Sequence, residues 1–152
     1  MGSQARKHSI GLAGEFLVAG ELLRRGIMAA VTYGNAKKAD VVAVNGSKAA
    51  SLEVKSTSEA KWVLGGTLPE AAGSIWVLVH LPTDTLQPPA YYVLTGAELR
   101  AVVLPAHDAY NARFREKHGR DFDGKGVVSV QRKLIDARHL GAWDKVARAV
   151  GL

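Results

Sequence analysis

Apolar residues recur along this chain at two spacings, and each marks a different kind of element. Leu12, Phe16, Ala19 and Leu23 return at helical intervals. The spacing predicts a helix from about Ser9 to Arg25, with Ser9 as N-cap and Gly26 at the C-terminal stop. β-type runs follow at Met28–Tyr33, Asp40–Asn45 and Ala49–Lys55. The last two flank Asn45-Gly46-Ser47-Lys48, and an Asn-Gly pair is a strong hairpin signal because tight hairpin turns need positive φ.

Residues 56–73, which contain Gly65-Gly66 and Pro69, predict irregular structure with a short helix near Pro69–Ala72. Ser74–Leu81 is almost wholly apolar, the pattern of a strand covered on both faces. Ala90–Leu94 is the next strand, after a turn rich in proline. Thr95-Gly96-Ala97-Glu98 has capping-box spacing and opens a helix to about Val103. A further helix is expected over Ala106–Lys117, a short strand at Val127–Val130 and a final helix near Gly141–Val150. This order predicts an α/β sandwich, a mixed central sheet with helices on both faces, in one domain spanning the 152 residues.

Composition narrows the partners. No run approaches the roughly eighteen apolar residues of a membrane span, and the N-terminus has charge but no apolar signal core. With no cysteine there is no disulfide framework, thiol nucleophile or thiolate metal site, which fits a cytoplasmic protein. A net charge of +6 and a pI near 9.7 favour a polyanionic partner. The basic residues are dispersed, so any binding surface must be assembled by the fold.

The chemistry gathers around the predicted hairpin. Asp40 opens one strand, and Glu53-Val54-Lys55 closes its partner. Strand side chains alternate, so Glu53 and Lys55 share a face while Leu52 and Val54 take the other. The hairpin brings Asp40 beside them. Paired carboxylates are the hard ligands that Mg²⁺ or Mn²⁺ prefers, and a neighbouring ammonium can orient water and meet phosphate. Glu15 falls at the edge of the apolar face of the first helix, where a carboxylate needs a compensating partner. Lys37 and Lys38, just before Asp40, are expected to meet phosphate. Arg113, Arg115, Lys117 and Arg120 offer a second basic face or simply a solvated helix. The five histidines show no paired metal-ligand spacing. Asp121-Phe122-Asp123-Gly124 lacks the first and twelfth acids of a calcium loop and is expected to be a turn. Trp62, Trp76 and Trp143 are expected to pack rather than stack on bases.

The helix glutamate in Gly11-Leu12-Ala13-Gly14-Glu15, the strand beginning with Asp40, the hairpin and then Glu53-Val54-Lys55 resemble the PD-(D/E)xK nuclease superfamily. The look is especially that of its archaeal Holliday-junction resolvases and small bacterial members. The likeness covers about the first half of the chain and departs at Ala39, where the family pattern has proline. It implies a restriction-endonuclease-like fold and a divalent-metal-dependent endonuclease acting on DNA, structure-selective or weakly specific. It also implies Asp40, Glu53 and the Val54 carbonyl as ligands of Mg²⁺ or Mn²⁺. Lys55 would serve the attacking water, and Glu15 would act through a second metal or a bridging water. A symmetric homodimer is a further implication of the resemblance. A catalytically silent nucleic-acid-binding module of the same fold, or a small immunity-type interaction protein, are the competing classes.

Overall fold

The computed structural model describes residues 2–34, 39–122 and 126–152. Helix α1 (Ser3–Arg24) starts six residues before the expected Ser9, with Gly2 as N-cap. Its buried stripe is Gly14, Val18, Ala19 and Leu22, an i, i+4, i+8 row extended by Ala19. Phe16 and Leu23, expected on that stripe, are about half exposed, and Phe16 instead meets Tyr33. Gly26, at φ +75°, turns the chain into β1 (Met28–Val31), which pairs antiparallel with β2 (Val41–Asn45).

β2 continues through a two-residue turn into β3 (Lys48–Thr57), with Asn45 paired to Lys48. Gly46 has φ +59° while Ser47 is not in the positive-φ region. This is the pattern of a type II′ turn, in which glycine holds the first central position. Gly46 alone therefore supplies the backbone freedom, and Asn45 belongs to the strand.

The expected irregular stretch contains β4 (Lys61–Gly65). β4 leaves the main sheet to pair antiparallel with β7 (Val128–Gln131), as a separate two-stranded sheet. No helix forms over Pro69–Ala72. β5 (Ile75–His80) lies parallel to β3, and β6 (Ala90–Leu94) antiparallel to β5. The main sheet thus runs β1-β2-β3-β5-β6, mixed as expected.

The two helices expected around Pro105 are one, α2 (Gly96–His118). Proline removes a single N–H and crowds the preceding turn, yet the capping box at Thr95 and Glu98 and the burial of Leu99 and Val103 hold the first half in place. α3 (Asp144–Ala149) is shorter than expected. Two apolar layers result. Val18, Leu22, Leu52, Val54, Val77, Val146 and their neighbours pack α1 and α3 on one face of the sheet. Trp62, Leu64, Leu78, Leu99, Val103 and Val130 fill the other, beneath α2 and the β4–β7 pair.

Candidate active site

Asp40 lies just before β2 and is tied to both neighbouring strands. Its N–H donates to the Leu52 carbonyl at 2.9 Å, and its carbonyl accepts from the Thr32 N–H at 2.9 Å. The Thr32 hydroxyl also donates to the Ala39 carbonyl, and Ala39 is itself buried. The side chain is fixed as firmly, since Asp40 Oδ2 accepts the Val54 N–H at 2.8 Å in a buried setting.

The β2–β3 register ends at Val41 and Leu52, and Asp40 bonds onward to Leu52 and Val54, the two residues that flank Glu53. Leu52 and Val54 enter the layer under α1, so Glu53 and Lys55 face the other way, beside Trp76 and Leu78 of β5. Both are partly buried. In a strand, the N–H and C=O of one residue point to the same side. The Val54 carbonyl therefore faces the Asp40 side, past the end of β2. One end of the β2–β3 hairpin thus carries Asp40, Glu53, the Val54 carbonyl and Lys55.

Glu15 approaches from the other side of the sheet. Its neighbour Gly14 is buried against β3, where an added Cβ would run into the Ser56 hydroxyl, with Ser56 Cβ at 2.9 Å and Val54 Cγ1 at 3.6 Å. That contact brings the α1 backbone onto the face of Val54 and Ser56. One oxygen of the half-buried Glu15 carboxylate is shielded from solvent. Among the described residues no three acidic, histidine or cysteine side chains gather closely enough to hold a metal ion, so Glu15, Asp40 and Glu53 do not form a three-carboxylate cage. Lys37 and Lys38 lie outside the described residues, as do Asp123 and Gly124; Asp121 pairs with Arg115 at 2.6 Å.

Trp62 proves a core residue. It is 1% exposed and donates its indole N–H to the Val79 carbonyl at 2.9 Å. Trp143 is likewise buried, with the Arg25 guanidinium over its ring. Glu70, which sequence reasoning passed over, borders with Glu53, Ser74 and Trp76 a cavity of about 380 Å³. Nothing in its local pattern marks it, because the loop after β4 brings it there. A second unanticipated cluster joins α2 to α3: Lys145 Nζ lies 2.8 Å from Glu98 Oε2 and 2.9 Å from His139 Nδ1, and donates to the Val93 carbonyl at 2.8 Å. Partial burial alone would raise the Glu98 pKa, but hydrogen bonds from Lys145 and the Thr95 N–H, with the Lys145 and His139 charges, outweigh it and bring the carboxyl to about 2. Burial, then the Lys145 charge, pushes the His139 imidazole below its ordinary value.

The mixed sheet with α1 on one face, α2 on the other, and Asp40 and Glu53 at one hairpin end make a restriction-endonuclease-like fold. Among solved structures the chain is similar to the bacterial homing endonuclease I-Ssp6803I, with a TM-score of 0.53 and 14% identity over 97% of this chain and 94% of that one. It is also similar to the Holliday junction resolvase Hjc of Archaeoglobus fulgidus, with a TM-score of 0.47 and 15% identity over 82% and 86%. At these identities the likeness is one of fold. No protein-family model matches the chain, and no curated protein does.

Proposed function

We propose that this chain is a divalent-metal-dependent endonuclease that hydrolyses phosphodiester bonds of DNA. The observation that carries the reading is the Asp40 carboxylate, locked at 2.8 Å to the Val54 N–H next to Glu53, with Lys55 on the same face as Glu53. The donor set fits Mg²⁺ or Mn²⁺, which are held by one or two carboxylates with substrate phosphate and water completing the shell. A carboxylate offers about four lone-pair sites, and the bond from Val54 uses one. Asp40, Glu53 and the Val54 carbonyl would hold the ion. When bound, it supplies charge that offsets the negative charge growing on the phosphoryl oxygens and makes water more acidic.

The chain's own groups supply the rest. Lys55, two residues from Glu53 along the strand, donates to the attacking water or to a phosphoryl oxygen and so aligns the two for in-line attack. The new P–O bond forms to water, which gives up a proton to solvent, as the ester P–O bond breaks and the departing alkoxide takes a proton from solvent. The bond from the Val54 N–H holds the Asp40 carboxylate in place. Glu15, on α1 beside Gly14, would act through a second metal or a bridging water.

Net charge of +6 suits a polyanionic substrate, and the solved structure matched at a TM-score of 0.53 is a homing endonuclease. The test is incubation of supercoiled, linear, branched and single-stranded DNA, and of RNA, with Mg²⁺ or Mn²⁺, beside Asp40→Asn. Metal-dependent cleavage of DNA that Asp40→Asn loses supports the reading. DNA binding with no cleavage under either metal would leave a binding module in its place.

A further inference from the structure

The row of side chains that begins with Glu53 and Lys55 does not end there. Thr57 follows on the same face, and β5 places His80 directly beside it. Trp76, Leu78 and His80 alternate to that face, since Ile75, Val77 and Val79 enter the layer beneath α1. Past Lys55 the sheet opens into a cavity of about 450 Å³ lined by His80, Arg132, Lys133, Gln131, Ser58 and Glu59. Arg132 and Lys133 come from the short 3-10 turn Arg132–Leu134 that ends β7. The Arg132 N–H donates to the Ala60 carbonyl at 2.7 Å, which pins that turn against the β3–β4 connection. The β4–β7 pair is therefore what delivers two cations, remote in sequence, to the mouth of the parallel β3–β5 pair.

We propose that this cavity seats a backbone phosphate of the nucleic-acid strand whose neighbouring phosphate lies at Glu53 and Lys55; the assignment of the strand rests on the nuclease reading. Thr57, paired with the cavity residue His80, lies two positions beyond Lys55, about 6.6 Å at the usual rise, so the seat is distinct from the scissile position. The chemistry suits a phosphodiester monoanion. A guanidinium presents paired donors to phosphate, a lysine adds a point charge, and the Ser58 hydroxyl and Gln131 amide add neutral donors. The two fixed positive charges outnumber the one carboxylate at the rim, Glu59. Burial and the Arg132 charge lower the His80 pKa against a raising hydrogen bond to Ser58, so near neutral pH His80 serves as an uncharged hydrogen-bonding group.

Arg132 and Lys133 are exposed, so the double variant Arg132→Ala/Lys133→Ala is expected to fold, which urea melts check. Fluorescence anisotropy with a labelled DNA duplex in EDTA should show affinity reduced about ten- to a hundred-fold, the scale of a lost charge-assisted hydrogen bond. The slope of log affinity against log salt should fall by about one to two, as roughly one unit goes with each phosphate contact. A scan of single methylphosphonate substitutions should locate one or two positions where neutralising the DNA weakens wild-type binding and leaves the double variant indifferent. An unchanged salt slope, or the same scan profile in both proteins, overturns the seat. A wild type that passes these binding tests but cleaves no DNA fails the nuclease reading while upholding the seat. Cleavage with a flat scan does the reverse.

Discussion

The Val54 N–H donates to the Asp40 carboxylate at 2.8 Å in a buried setting, so one bond holds both a strand end and a site residue. On the proposed nuclease reading, function and stability at Asp40 are consequently coupled. Asp40→Ala leaves the Val54 N–H without this acceptor and should cost about 1–3 kcal/mol. Asp40→Asn keeps an acceptor oxygen and should cost less. Both should lose Mn²⁺ binding and cleavage, which urea melts, calorimetry and plasmid nicking measure. An Asp40→Ala protein as stable as wild type would contradict the bond.

In the proposed mechanism, Lys55 separates water alignment from metal binding. Lys55→Ala should keep Mn²⁺ affinity within a few-fold while cleavage falls about a hundred-fold or more, the loss expected when a preorganised transition-state donor goes. Glu53→Gln should instead lose the ion. Calorimetry beside single-turnover cleavage distinguishes the two. Equal loss of metal in both variants would make Lys55 a structural neighbour only.

Gly14 sets how closely α1 approaches β3. Gly14→Ala would drive a methyl group into the Ser56 hydroxyl, and an overpacked contact of this kind costs about 1–3 kcal/mol. Ser56→Gly should restore much of the loss in the double variant, measured by denaturant midpoints. If Gly14→Ala is neutral or stabilising, helix propensity outweighs the contact.

The hairpin and the faces of its residues were legible because they are local. Asp40, Gly46, Glu53 and Lys55 fall within two strands and one turn, and strand alternation alone assigns their faces. The α1 stripe misled, because Phe16 and Leu23 keep helical spacing without being covered, while Gly14, which carries the closest contact, has no side chain to register in an apolar pattern. β4 was hidden by Gly65-Gly66 and by its dependence on β7, which arrives from far along the chain, with a register shift between Val63 and Gly65. Pro105 marked a helix end that tertiary packing overrode. His80, Arg132 and Lys133 form a cluster only once β4 and β7 pair, so no spacing announced it.

Glu98 makes the second half of the fold sensitive to acid. Its pKa is depressed from 4.5 to about 2 in the folded protein. A depressed carboxyl adds stability that is fully present above its unfolded value and is lost as pH falls through the folded one. The gain should therefore be full above about pH 5 and fade between about pH 4.5 and 2. Glu98→Gln should be less stable than wild type at pH 7, with the gap closing near pH 2. Urea midpoints across that range read it directly, and a pH-independent gap would remove the Lys145–Glu98 pair as its source.

The two-residue turn at Gly46 decides more than the path of the chain. Because side chains alternate along β3, a slip of one residue in its pairing with β2 would turn Glu53 and Lys55 under α1 and bring Leu52 and Val54 to the opposite face. The error would be chemical as well as structural, since two charged groups would enter an apolar layer and the proposed metal site would lose a ligand at the same moment. Gly46, about as far from Asp40 along one strand as from Glu53 along the other, thus acts as a proofreader of the site, rejecting the misaligned hairpin before any substrate arrives.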